Sequence, residues 1–231
     1  QAASEASEVE GFGAVAEVPL GVTTRPTLAT SELRLELRAL RDVPRYHAEQ
    51  LLSLVPGAVL GNHGGEGKAS NLYLRGFDAG EGQDVEELVE GIPINEPSNA
   101  HEHGYADTFF LIPELVREVR VLPGPFDPAQ GDFALAGTID HRLGLDTRGV
   151  RALGGYGSFR RRRALLAWSS GPNEGRDDDF VAFEVQAGRG FGANRAHRLY
   201  RGLARFGGGD ARLGWSLLAA SHALEFDSAG V

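Results

Sequence analysis

Between Asn95 and Asp107 the sequence gathers its densest set of ligating side chains: Asn95, Glu96, Asn99, His101, Glu102, His103, Tyr105 and Asp107. Neutral imidazole and carboxylate are donors suited to zinc, copper or nickel. In an extended segment His101 and His103 point the same way and can share one ion, so this pair is the metal expectation. The competing expectation is a polar loop whose histidines meet solvent or backbone. A second polar loop, Asn62 to Lys68, sets His63, Glu66 and Lys68 among glycines that permit positive φ.

Other catalytic patterns fail on their own terms. The loop ending Gly67-Lys68 lacks a phosphate-loop glycine at Asn62 and a metal-binding hydroxyl at Ala69, and an alternating strand follows where a helix should receive the phosphate. Gly155-Tyr156-Gly157-Ser158-Phe159 puts its serine in a strand, without the strand-to-helix elbow of a serine hydrolase. The chain has no cysteine, which excludes thiol nucleophiles, disulfide frameworks and Cys-ligated zinc or iron–sulfur centres. No cofactor is expected.

Charge divides the chain. The 231 residues carry a net charge of -9, made of -13 up to Leu145 and +4 beyond it. An acidic first half argues against nucleic acid, whose phosphates need clustered cations. Arg160 to Arg163 form a basic run suited to a solvated turn or one facing lipid headgroups. No stretch has the roughly 18 apolar residues of a membrane-crossing helix, and the N-terminus lacks the features of a signal peptide. Starting at Gln1 without Met, the chain is expected to be processed or clipped.

The elements that must position these residues follow from periodicity. Residues 1–15 read as a flexible leader. Ala14 to Val22 is extended in character. Ser31 to Leu40 is expected as a short helix capped by Ser31, with Leu33, Leu37 and Leu40 on one face. A second helix is expected from about Arg45 to Val55, ended by Pro56-Gly57. Strands are expected at Ala58 to Leu60, Asn71 to Gly76, Glu87 to Val89, Val119 to Leu122 and Thr138 to Leu143, with a helical turn at Pro113 to Val116. This half reads as a small α+β domain.

After Leu145 come about five strand-length segments: Val150 to Phe159, Ala164 to Ser170, Phe180 to Gly188, Leu199 to Phe206 and Ala211 to Phe226. Val181, Phe183, Val185 and Ala187 oppose Glu184, Gln186 and Gly188; Leu213, Trp215 and Leu217 oppose Arg212, Gly214 and Ser216. Apolar-out, polar-in alternation suits a transmembrane barrel, and a half-solvated soluble sheet alternates equally well.

Taken in order, several segments resemble the plug domain of TonB-dependent outer-membrane receptors. They are Pro56-Gly57-Ala58-Val59, the Gly-rich loop, Leu74-Arg75-Gly76, Leu88 to Asn95, Glu118 to Pro125 and Gly131 to Ile139. The strands after Leu145 look like the first strands of the family's barrel. The resemblance implies a leader at 1–15 that could hold the TonB contact, an α+β plug at 16–145, and the first about five antiparallel strands of a transmembrane β-barrel at 146–231. Such a barrel is incomplete, since about five strands leave two open edges. Glu90 stands where the family usually has Asp, Pro123 where it commonly has Arg, and Ala136-Gly137 where it has paired glycines.

The function implied by resemblance is import of a scarce ligand, such as a ferric siderophore or other metal complex, across the bacterial outer membrane. TonB and its inner-membrane proton-driven complex are the implied partners, together with outer-membrane lipid. Ligand would meet the plug loops through Asn62, His63, Glu66, Lys68, Asn95, Glu96, Asn99, His101, Glu102, His103 and Tyr105. Arg75, with Arg120 as substitute for the missing second arginine, would latch the plug to barrel carboxylates. Two other readings stay open: a periplasmic plug-like binding module that does not transport, and a metal-dependent enzyme built on His101 and His103. The second lacks a recognisable acid–base constellation.

Overall fold

Alternating charge and leucine in Ser-Glu-Leu-Arg-Leu-Glu makes a strand where a helix was expected. In the computed structural model, which describes residues 22–26, 31–36, 45–62, 67–171, 178–209 and 212–227, Ser31–Glu36 is β2, paired antiparallel with β1 (Val22–Pro26). Leu35 is fully buried opposite Val119, and Leu33 lies opposite Val121. The period of two, with Glu32 and Arg34 on the other face, wins over the i, i+4, i+7 reading because a neighbouring strand covers the leucines. The expected leader at 1–15, Leu37 to Leu40, His63 and Glu66 fall outside the described residues.

The second expected helix is a tighter 3₁₀ segment, Ala48–Leu54. The Gln50 side chain accepts from the Tyr46 backbone N–H at 2.7 Å, and Leu51 and Leu52 face the core. Then come β3 (Ala58–Gly61), β4 (Asn71–Leu74) and β5 (Phe77–Asp78), which form a three-stranded sheet in that order. Next are β6 (Val85–Val89), β7 (Ile92–Pro93), a 3₁₀ turn at Pro113–Leu115, β8 (Val116–Pro123) and β9 (Gly137–Leu143). A six-stranded sheet runs β1-β2-β8-β9-β6-β7, antiparallel except for the parallel β6–β9 pair.

From Gly149 the chain becomes a meander. β10 (Gly149–Gly157), β11 (Arg161–Ser169), β12 (Phe180–Gly188), β13 (His197–Gly209) and β14 (Gly214–Phe226) pair antiparallel in sequence order. The sheet is an open wall, with β10 and β14 as its edges. Its faces separate by parity. On β12, Phe180, Ala182, Glu184 and Gln186 are buried, while Val181 and Phe183 are exposed. On β13, Leu199, Arg201, Leu203 and Arg205 are buried and Tyr200 and Phe206 are exposed.

The buried face of the wall shares its core with the first half. Leu165, Ala167, Phe180, Ala182 and Leu203 pack in one cluster with Leu51, Leu111, Ile112, Leu115 and Val119. Each such side chain taken from water contributes about 1.5–3 kcal/mol, so apolar burial is the general adhesive between the two parts. The polar groups inside it decide where the parts hold each other.

Candidate functional site

Three wall arginines cross into the first half. Arg163 on β11 forks onto two carboxylates at once: its Nη1 and Nη2 donate to Glu114 Oε1 and Oε2 at 2.6 and 2.5 Å, and its Nε and Nη2 donate to Glu184 Oε1 and Oε2 at 3.0 and 2.9 Å. Glu114 belongs to the Pro113–Leu115 turn, whereas Glu184 is fully buried on β12. Burial alone would raise the Glu114 carboxyl, but the Arg163 guanidinium outweighs it and holds the group below its ordinary value. A planar fork matched to two carboxylates fixes direction as well as charge.

Arg201 on β13 is fully buried. Its Nη1 donates to the Leu111 carbonyl at 2.7 Å, and its Nη2 donates to the Tyr46 carbonyl at 3.0 Å and to His47 Nδ1 at 2.9 Å. A guanidinium has no acceptor, so His47 Nδ1 must offer its lone pair here, which leaves the ring proton on Nε2. The His47 ring also meets Phe109 edge-on, with centroids 4.8 Å apart. Beside it Arg161 stacks over the Tyr46 ring at 4.0 Å.

Arg205, four residues on and on the same face of β13, donates through Nη1 to Glu90 Oε1 at 3.0 Å and the Leu143 carbonyl at 3.1 Å, and through Nη2 to Asp178 Oδ1 at 2.7 Å. Glu90 sits at φ 55 in the turn between β6 and β7, and its carboxylate also receives the Leu143 N–H. Together the three arginines tie the wall to the 3₁₀ segment after His47, to the Leu111–Leu115 stretch and to the β6–β7 turn. Sequence reasoning missed all three. The available signal was their parity: Arg163, Arg201 and Arg205 share the inward period with leucines, where an unpaired charge would be prohibitive.

The two arginines expected as latches sit elsewhere. Arg75 is an exposed turn residue at φ 51 after β4. Arg120 lies on β8, donates through Nε to Glu118, and has Glu32 Oε1 at 3.8 Å; Arg34 pairs with Glu32 at 2.7 Å. These four form a charge lattice across β2 and β8 within the sheet.

The two polar loops meet through Tyr105. Its hydroxyl accepts the Ala69 N–H at 3.1 Å, joining the end of the Asn62 to Lys68 loop to the Asn95 to Tyr105 loop. Asn95 is committed to the backbone: its Oδ1 accepts the Glu87 N–H at 2.7 Å, and its Nδ2 donates to the Gly82, Val85 and Gly104 carbonyls at 3.2, 2.9 and 2.8 Å. It acts as a staple for the loop that carries the other groups. Glu96 Oε2 accepts from Asn99 Nδ2 at 2.7 Å, and Asn99 Oδ1 from the His101 N–H at 2.9 Å.

Residues 101–104 bend and turn instead of running extended, so the premise for a shared ion at His101 and His103 does not hold. The His101 ring stacks on Tyr105 at 5.6 Å and has Glu81 Oε2 at 3.7 Å, whereas His103 Nδ1 lies 3.1 Å from the Pro97 carbonyl. Among the described residues, no three His, Asp or Glu side chains converge as a metal site. Glu102 Oε2 accepts the Glu81 N–H at 3.3 Å, and Lys68 is exposed.

Asn62 lines a cleft of about 340 Å³ with His47, Glu49, Ser70 and Arg161. Glu49 Oε1 accepts from Ser70 Oγ at 2.8 Å, yet burial raises the carboxyl above its ordinary range despite that bond. Asp107 is raised too, by burial, with its bond from the Phe109 N–H opposing the shift.

Comparison with known proteins gives this arrangement a context. A family model described as the TonB-dependent Receptor Plug Domain matches residues 30–138. Among solved structures, the copper transporter OprC superposes with a TM-score of 0.67 at 21% identity, over 92% of this chain and 32% of that one. The unliganded ferric citrate transporter FecA gives 0.67 at 15%, over 87% and 32%. The pyoverdine outer membrane receptor FpvA from Pseudomonas aeruginosa gives 0.59 at 18%, over 86% and 29%. At these identities the likeness is one of fold, and the chain spans about a third of each receptor's length.

Proposed function

From the premise that residues 30–138 are a TonB-dependent receptor plug domain, followed by the opening strands of an unclosed barrel, we propose that the protein is an outer-membrane receptor that imports a scarce ligand. The observation that carries this reading is the two-faced wall. Its inner face holds the plug through buried arginines and shared core, and its outer face exposes Val150, Leu166, Trp168, Val181, Phe183, Trp215 and Leu217. An exposed apolar face of this extent needs cover, and hydrocarbon covers it without further protein.

In this mechanism the plug fills the barrel, ligand binds the loops around Asn62 to Lys68 and Asn95 to Tyr105, and TonB, driven by the inner-membrane proton gradient, pulls on the N-terminal side. Opening a path then requires the plug to leave Glu114–Arg163, Leu111–Arg201 and Glu90–Arg205. The clustered amide, imidazole, carboxylate and phenol groups suit a polar cargo such as a ferric siderophore or another metal complex. His63 and Glu66 belong to that loop by sequence, and Arg75 is free in position to reach barrel carboxylates beyond the present strands. No residue is asked to make or break a covalent bond.

The test uses the absence of native cysteine. E114C/R163C, bridged by a short bismaleimide, ties plug to wall. Labelled iron(III) citrate, ferric pyoverdine and copper(II) are offered to cells lacking the chromosomal copy. Uptake of one of them that depends on TonB, survives E114C/R163C unbridged and stops on bridging supports the reading. A protein recovered in the soluble fraction, or uptake indifferent to bridging, refutes it.

A further inference from the structure

Register places the outward side chains of the wall in rows. Trp168, Val181, Ala204 and Ala219 are neighbours in one; Leu166, Phe183, Gly202 and Ser221 in the next; Ala164, Val185, Tyr200 and Ala223 in a third. The fourth changes character: Tyr156, Arg162, Ala187, Arg198 and Glu225. From Phe206 to Arg198 along β13 is about 26 Å, or about 20 Å along the membrane normal at a tilt of about 40°. The arginine row thus stands where an apolar band of barrel height ends.

The row has a shape as well as a charge. Arg162 and Arg198 flank Ala187, so two long cationic stems rise about 10 Å apart on either side of a methyl group. Arg160 and Arg189 join them around an open trough of about 510 Å³, and all four are exposed. Glu225 and Asp227 also line the trough against the four arginines; Glu225 lies 3.9 Å from Arg198 with both side chains largely in water, so that pair is weak, and the trough keeps a cationic excess. Tyr200 edges it toward the apolar rows and Tyr156 stands beside Arg162 in the same row, in the position of an interfacial aromatic girdle.

We propose that this trough binds the phosphate-bearing headgroup of a membrane lipid, with the acyl chains lying down over Ala164, Val185 and Leu166. Guanidinium forks suit phosphate, and the small residue between them leaves room for the headgroup. The site lies at the end of the wall where Gly67 of the ligand loop packs against the ring of Phe226, so the lipid belongs to the leaflet on the ligand's side. The inference rests on the membrane-spanning reading given above and adds a lipid site on the outside of the barrel, away from the plug.

The test takes the full-length protein extracted from membranes and reconstituted in phosphatidylcholine nanodiscs. Bisphosphorylated lipid A, the same glycolipid with its phosphates removed, and inorganic phosphate are titrated against the parent and the R160Q/R162Q/R198Q variant. The expected result is binding of the phosphorylated lipid weakened about 100-fold in the variant, at about fivefold per arginine, with equal, weak binding of the dephosphorylated lipid to both. Inorganic phosphate at millimolar concentration should fail to displace the lipid. Full displacement would make the site one for free phosphate and overturn the lipid assignment, as would equal affinities for parent and variant. Failure of the membrane reading is separate: it shows as a protein that never enters the membrane fraction.

Discussion

Replacing Arg201 by Leu tests whether the buried guanidinium holds the plug to the wall. The substitution keeps apolar volume but leaves the Leu111 and Tyr46 carbonyls, now 2.7 and 3.0 Å from their donors, without those bonds. Each buried carbonyl so stranded costs about 1–3 kcal/mol. Removing the guanidinium also removes its own desolvation cost, which offsets part of this, and Glu184 keeps Arg163 at 2.9 Å. The net loss is about 2–4 kcal/mol, or about two orders of magnitude in local opening at the midpoint. Hydrogen exchange on the membrane-extracted protein reads it directly. Amides of Ala48–Leu54, Glu114 and Leu115 should exchange about 100-fold faster, while those of the β11–β12 ladder change much less. R201K, with charge but no planar fork, should fall between. Exchange at both segments within a factor of three of the parent would refute the idea that Arg201 is what fixes the plug at this point.

Two pH dependences follow from the carboxyls of the plug. Glu114 has its pKa lowered in the folded state, so its contribution is complete above the unfolded value of 4.5 and is lost as pH falls through the folded one; E114Q should lower thermal stability near neutrality and flatten the acid limb below pH 4.5, and an unchanged limb would count against the Arg163 pairing. Glu49 is shifted the other way by burial, so the folded state binds its proton more readily and stability rises as pH falls toward 4.5. E49Q should therefore match or exceed the parent in melting temperature at pH 7, with the difference gone below pH 4.5; a lower melting temperature for E49Q at pH 7 would show that the Ser70 bond outweighs the burial.

Legibility in the sequence tracks how local the deciding interaction is. The wall strands follow from strand-length runs between turn clusters, and a sheet with one buried face imposes a period of two on Phe180 to Gly188 and His197 to Arg205, whereas Gly214 to Phe226, at the open edge, has no buried residue. Ser31 to Glu36 shows the opposite case. Its leucines fit both a helix face and a strand face, and the choice lies with β8, which brings Val119 and Val121 against Leu35 and Leu33 from far along the chain. The segment after His47 was read correctly as helical in hand, but wound tighter than an α-helix.

The site was less legible for a related reason. The sequence advertised His101 and His103 because histidines two apart look like ligands, yet a turn at 103–104 sends one ring to Tyr105 and the other to the Pro97 carbonyl. Asn95, named with them, turns out to hold the loop by four backbone bonds, a role that residue type alone cannot distinguish from ligand contact. The latch was sought in plug arginines aimed at barrel carboxylates. The structure adds three contacts of the opposite polarity, in which wall arginines reach carboxylates and carbonyls of the first half at Glu114, Leu111 with Tyr46, and Glu90. These contacts have a physical consequence for the opening proposed above. Carbonyl acceptors carry no net charge, so in the proposed opening Arg201 must be rehydrated or find new partners on the wall itself, and Glu184, 3.8 Å from its Nη1 and already shared with Arg163, is placed to receive it. In the proposed opening the wall keeps Glu184 beside Arg201 and Asp178 beside Arg205, which lowers the electrostatic cost of letting go at Arg201, whose first-half partners are uncharged. Arg163 and Arg205 are the points where the proposed departure separates a full opposite charge, Glu114 and Glu90, and there the resistance to pulling should concentrate.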